Sequence, residues 1–148
     1  MTRADKVRYL EGYYWTLANI EIIKDKIKNK NDRLYNVKSP KLSDMPRGGS
    51  TIDTVDIIFD KTELEDSLSK RLRQAEEKRQ EIEDTINNIN NPRYIMLLQL
   101  RYIDNLSLDD VADQMKLSYS RITKLHGLAL DEVVIPVHNK SIREYELD

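Results

Sequence analysis

Two stretches of this chain run for more than thirty residues without a proline, and both space their apolar side chains three and four apart. In residues 4–35 these are Val7, Leu10, Tyr14 and Leu17, then Ile20, Ile23, Ile27 and Leu34. In residues 54–90, Leu68, Leu72, Ala75, Arg79, Ile82, Ile86 and Ile89 alternate steps of four and three, a heptad seam with one charged member. Such steps return to one face of a 3.6-residue helix, whereas a strand would alternate every second residue. Each stretch is therefore expected to be one long helix, the second roughly 50 Å long at about 1.5 Å per residue. Arg79 either snorkels out along its stem or fixes the register.

The segment between them breaks the pattern. Pro40, Pro46, Gly48 and Gly49 among Ser and Thr residues predict a loop over residues 37–53. Two long helices joined by a loop predict an antiparallel hairpin, a coiled coil, over residues 1–91. Charge favours the pairing: residues 1–50 carry eleven Lys or Arg against six Asp or Glu, and residues 51–92 carry six against eleven. Exposed pairs contribute only tenths of a kcal/mol each. A hairpin burying a single seam is marginal, so a homodimer through the hairpin is expected.

Four Asn and a Pro in Asn87-Asn88-Ile89-Asn90-Asn91-Pro92 favour caps and turns and predict a domain boundary. The next helix supplies Leu97, Leu98 and Tyr102 as one wall of a small domain over residues 92–135. Within it, Ser107 followed by Asp109 and Asp110 predicts a helix start, and Leu108, Val111, Ala112 and Met115 share one face of a helix ending at Met115. Ala112 is small where two helices cross closely. Lys116 and Leu117 make a turn, and Ser118 caps a second helix whose buried stripe is Ile122, Leu125, Ala129 and Leu130. That leaves Tyr119, Ser120, Arg121, Thr123, Lys124 and His126 toward solvent or a ligand. After Pro136 the short charged end is expected to be a flexible tail, residues 136–148.

At these residues the chain resembles region four of bacterial sigma factors and related helix-turn-helix regulators. Leu100-Arg101-Tyr102 is similar to the end of that family's preceding helix, and Leu106-Ser107-Leu108-Asp109-Asp110-Val111-Ala112 to its opening. Ser118, Ser120-Arg121-Ile122 and Ala129-Leu130 complete the likeness, which covers about a fifth to a quarter of the chain. It departs from the family's usual residues at Tyr119, Ser120 and Lys124. Lys116 stands where a turn glycine is frequent, at a cost of about 1 kcal/mol if its backbone is left-handed. The resemblance implies a second helix that enters the major groove of double-stranded DNA. Ser118 would cap that helix in the DNA-binding surface, Tyr119, Ser120 and Lys124 would read bases, and Arg121 and Thr123 would hold phosphates. A hairpin followed by such a domain also looks like small ArpU-like regulators of phages and prophages of Gram-positive hosts. That likeness implies a transcriptional regulator acting on phage promoters alongside host RNA polymerase.

Composition bounds the alternatives. The chain has 148 residues, 34% of them charged, and a net charge of −2, so general adhesion to nucleic acid is not expected. Across residues 93–132, Arg93, Arg101, Lys116, Arg121 and Lys124 face six carboxylates, so DNA binding must rest on local asymmetry. No Cys is present, and His126 and His138 make no metal-ligand spacing, so no metal and no cofactor are expected. No nucleophile and base stand at a recognisable spacing, so catalytic residues are not expected and the chain reads as a non-enzyme. No apolar run is long enough to cross a membrane and the charged start does not read as a signal peptide, so a cytoplasmic protein is expected. Two other readings share the pattern: a small subunit of a phage DNA-packaging terminase, and a protein adaptor that does not touch DNA.

Overall fold

The computed structural model describes residues 1–38 and 50–137. Its elements are all helical: α1 (Arg3–Leu10), α2 (Gly12–Lys38), α3 (Ser50–Asn87), α4 (Pro92–Leu98), a π-helical turn (Gln99–Ile103), α5 (Leu108–Met115) and α6 (Tyr119–Glu132). The all-α expectation holds. None of the described helices is long and apolar enough to cross a membrane. Residues 39–49 of the expected loop, and residues 138–148 of the expected tail with His138, lie outside the described residues.

The chain divides into two compact units, Met1–Tyr14 with Lys78–Asp148, and Trp15–Glu77. The first gathers α1, the last turns of α3, and everything C-terminal to it. Leu10, Ile82, Ile86, Leu97, Leu98, Val111 and Ile122 are all completely buried in one core. Tyr9 ties α1 to α3 at its polar tip, donating from its hydroxyl to the Glu81 carboxylate at 3.0 Å and lying 3.1 Å from the Thr85 hydroxyl. The sequence boundary near Asn91 thus falls inside a unit, not between two.

The expected single helix over residues 4–35 is instead two. Thr2 opens α1 through a reciprocal cap: its hydroxyl accepts from the Asp5 amide, and the Asp5 carboxylate accepts from the Thr2 amide at 2.9 Å. The chain bends at Glu11, and α2 restarts at buried Gly12, a residue of low helix propensity that brings no side chain into the bend.

The second unit is a pair of antiparallel helices, α2 from Trp15 and α3 to Glu77. Ile20, Leu34, Ile57 and Ala75 are its buried apolar residues among those described, and Lys30 bonds across to Asp60 at 3.3 Å. One member of the expected seam does not join it, since Leu72 is 47% exposed. Arg79 is half-buried and snorkels to Glu83 one turn on, at 2.6 Å.

In the C-terminal part the elements fall where the capping residues direct them. The Asn91 side chain accepts from the Arg93 amide at 3.0 Å, with Pro92 at the first helical position, where its missing N–H costs nothing. The π-helical turn widens the end of this helix: the Asp104 amide reaches back five residues to the Gln99 carbonyl at 3.0 Å. The turn buries Tyr102. Arg101 then donates to the Leu106 carbonyl at 2.8 Å and holds the connection into α5.

Candidate nucleic-acid interface

The Ser107 side chain accepts from the Asp110 amide and caps α5, and Ser118 does the same for α6 through the Arg121 amide, both at 3.2 Å. Between them the Leu117 amide donates to the Ala112 carbonyl at 3.0 Å, and Lys116 takes the left-handed conformation, φ 56° and ψ 43°. Val111 and Ala112 of α5 pack in one core with Ile122, Ala129 and Leu130 of α6. This is a helix-turn-helix with its second helix fixed in rotation by three buried side chains.

That rotation exposes Ser118, Tyr119, Ser120, Arg121, Thr123 and Lys124. They separate into two flanks. Ser118, Ser120, Arg121 and Lys124, with Leu125, line a shallow recess of about 450 Å³. Tyr119 and Thr123, one turn apart, stand on the other flank, where the Thr123 hydroxyl donates to the Tyr119 carbonyl at 2.9 Å. That hydroxyl proton is committed within the helix, so Thr123 has acceptor lone pairs but no free donor to offer a phosphate. Arg121 and Lys124 are the charged members of the recess and supply donors for phosphate oxygens or guanine edges.

His126 is placed differently from expectation. It is half-buried, with its Nε2 2.7 Å from the Tyr102 hydroxyl and the two rings stacked at 5.8 Å. Burial pushes the Tyr102 hydroxyl up to about 12, so it keeps its proton, and which of the two groups donates follows from the imidazole tautomer. Burial first, then the nearby Arg101 and Arg3 charges, hold His126 below the usual histidine value. His126 thus anchors α6 to the π-helical turn instead of facing a ligand.

Sequence reasoning also missed the docking of α1 on α6. The Arg3 guanidinium forms a two-pronged pair with the Asp131 carboxylate at 2.7 and 2.6 Å, and Lys6 donates to the Asp131 carbonyl at 3.2 Å. Asp131 sits in the last turn of α6, where a carboxylate is unfavourable to the helix dipole, and Arg3 offsets it. The arginine hydrogen bond holds Asp131 below the ordinary carboxylate range. Gly127 makes room, for a Cβ there would lie 2.7 Å from Arg3 Nη1. No local pattern could reveal a contact between residues 128 apart. Among the described residues no group of three or more His, Cys, Asp or Glu could hold a metal ion.

One family profile, described as "Protein of unknown function (DUF1492)", matches residues 36–133. The chain belongs to this family. The DUF1492 span takes in α3 and the whole helix-turn-helix, and leaves out α1 and nearly all of α2. No curated protein and no solved structure matches the chain.

Proposed function

We propose that this DUF1492 member is a DNA-binding transcriptional regulator of the phage type, which lays α6 in the major groove of promoter or operator DNA. The observation that carries the reading is the open N-terminal half of α6. A capped helix, fixed in rotation by Ile122, Ala129 and Leu130, leaves Tyr119, Ser120, Arg121 and Lys124 without cover among the described residues. Its likeness to sigma region four and to ArpU-like regulators supports the same role, with host RNA polymerase as a protein partner. Tyr119, Ser120 and Lys124 face the base edges and Arg121 the backbone. Thr123 contributes as an acceptor or through its methyl group. One such module has few cations for phosphate contacts, so a homodimer, doubling them, supplies the affinity. Half-sites about 34 Å apart, one helical turn of DNA, suit two such reading heads.

Selecting bound duplexes from a random pool and measuring affinity at two salt concentrations tests this. Lys124→Ala should relax preference at one position by about 1–3 kcal/mol. Arg121→Ala should weaken all sequences alike and lower the salt slope by about 0.9. If no sequence is enriched, or both variants bind the selected site as tightly as the parent, this face of α6 is not a DNA reader.

A further inference from the structure

The second unit has a cleft of about 570 Å³ along one side, where α2 contributes Lys26, Lys30 and Arg33, and α3 contributes Asp60, Glu63 and Ser67. Cations therefore line one wall and carboxylates the other. Lys30 and Asp60 satisfy each other at 3.3 Å, while Lys26 and Arg33 have no carboxylate partner among the described residues. On the same two helices, Ile22 and Phe59 are 54% and 62% exposed. A surface with one positive and one negative row is complementary to itself when turned about a two-fold axis.

We propose that a second copy of this chain seats face to face over this cleft, forming a four-helix bundle with its two-fold axis parallel to the helices. That operation lays α2 of one protomer on α3 of the other at the same level. Lys26 and Arg33 then meet the partner's Glu63 and the partner's Asp60, and the reciprocal pairs form by symmetry. The area is adequate. Residues 15–38 rise about 36 Å as a helix and two helices side by side are about 20 Å wide, giving about 700 Å² on each copy, near the 800 Å² of a standard interface. This inference gives the homodimer of the preceding section its surface, and it stands whether or not α6 binds DNA.

Sedimentation of the full chain at tens of micromolar tests it with a charge exchange. The parent is expected to be a dimer. Lys26→Glu with Arg33→Glu, and separately Asp60→Lys with Glu63→Lys, should each weaken dimerisation at least tenfold, and an equimolar mixture should recover a heterodimer. A monomeric parent, variants that dimerise like the parent, or a mixture that stays monomeric overturns the proposal. Should charge reversal unwind the helices, as circular dichroism would show, cross-linking decides. The chain has no cysteine, so Ser67→Cys on the cleft wall should be joined by a short bis-maleimide, and Ser69→Cys, both exposed and on opposite sides of α3, should not. Equal cross-linking at the two positions, or none at residue 67, rejects this face. A dimer that binds no DNA would overturn the proposed function and leave this interface standing, and a monomer that binds its selected site would do the reverse.

Discussion

Ile86 and Leu72 lie two heptads apart on the same unbroken helix, yet Ile86 is completely buried and Leu72 is 47% exposed. The difference comes from what surrounds each. At Ile86, α3 runs through a core with contributions from α1, α4, the π-helical turn, α5 and α6. At Leu72, α3 lies in a unit whose only other described helix is α2. One neighbour can cover a narrow seam, and a residue turned slightly off that seam stays wet. A heptad spacing therefore marks which residues could be buried, and the number of packed neighbours decides which ones are.

Truncation should separate the two regions most sharply. Ile86→Ala removes methyl groups from a closed core and should cost about 2–5 kcal/mol, whereas Leu72→Ala should stay within about 0.5 kcal/mol. Denaturant titration of both variants, followed by circular dichroism, measures the contrast. If Leu72→Ala proves as costly as Ile86→Ala, Leu72 is covered in solution and the hairpin is not a thin two-helix element.

A second contrast is chemical. His126 is in the first unit, and residues 15–77 contain no histidine at all. Because the fold holds His126 below its ordinary value, the unfolded chain binds the proton more readily. Stability from this group is complete above about pH 6.5, the unfolded value, and is lost as pH falls through the lower folded value. Amide exchange in α6 should therefore speed up as pH falls below about 6.5, relative to the intrinsic exchange rate, with no matching change in residues 15–35 or 54–77. His126→Gln keeps an acceptor for the Tyr102 hydroxyl and should abolish the change. A parent whose α6 protection is flat over that range would show that the imidazole does not hold the helix to the π-helical turn.

The two regions were also unequally legible. The capping serines and the one-face spacing in α5 and α6 are local signals, so Ser107, Ser118 and the buried stripe Ile122, Ala129 and Leu130 could be placed from the residues alone. The exposed face of α6 followed as its complement. His126 was misplaced because its angle on α6 lies near the boundary between buried and exposed. Only the π-helical turn, which widens one turn to bring Tyr102 beneath it, tips the balance. The docking of α1 depends on Arg3 meeting Asp131 across almost the whole chain, and Gly127 reads as an arbitrary glycine until that arginine is seen above it. The helix break at Glu11 was hidden because the apolar spacing continues across it.

Lys116 gives the smallest effect and the closest check on the turn that orients α6. Its backbone is left-handed, and so is that of Asn105, but asparagine tolerates this conformation far better than lysine. Lysine carries a Cβ penalty of roughly 1–2 kcal/mol there, while glycine would lose about 0.5–1 kcal/mol more backbone freedom on folding. Lys116→Gly should therefore stabilise the first unit by a few tenths of a kcal/mol up to about 1 kcal/mol. The side chain is exposed and no hydrogen bond to it is seen among the described residues, so little packing is lost with it. Lys116→Ala makes the informative control, because it removes the charge and stem but keeps the Cβ, and should bring no comparable gain. If glycine and alanine act alike, the gain belongs to the lost charge near the α6 cap, and the turn carries no backbone strain. If glycine alone stabilises, this turn holds strain that the packed core of the first unit is strong enough to maintain, a load the thin hairpin would be poorly placed to bear.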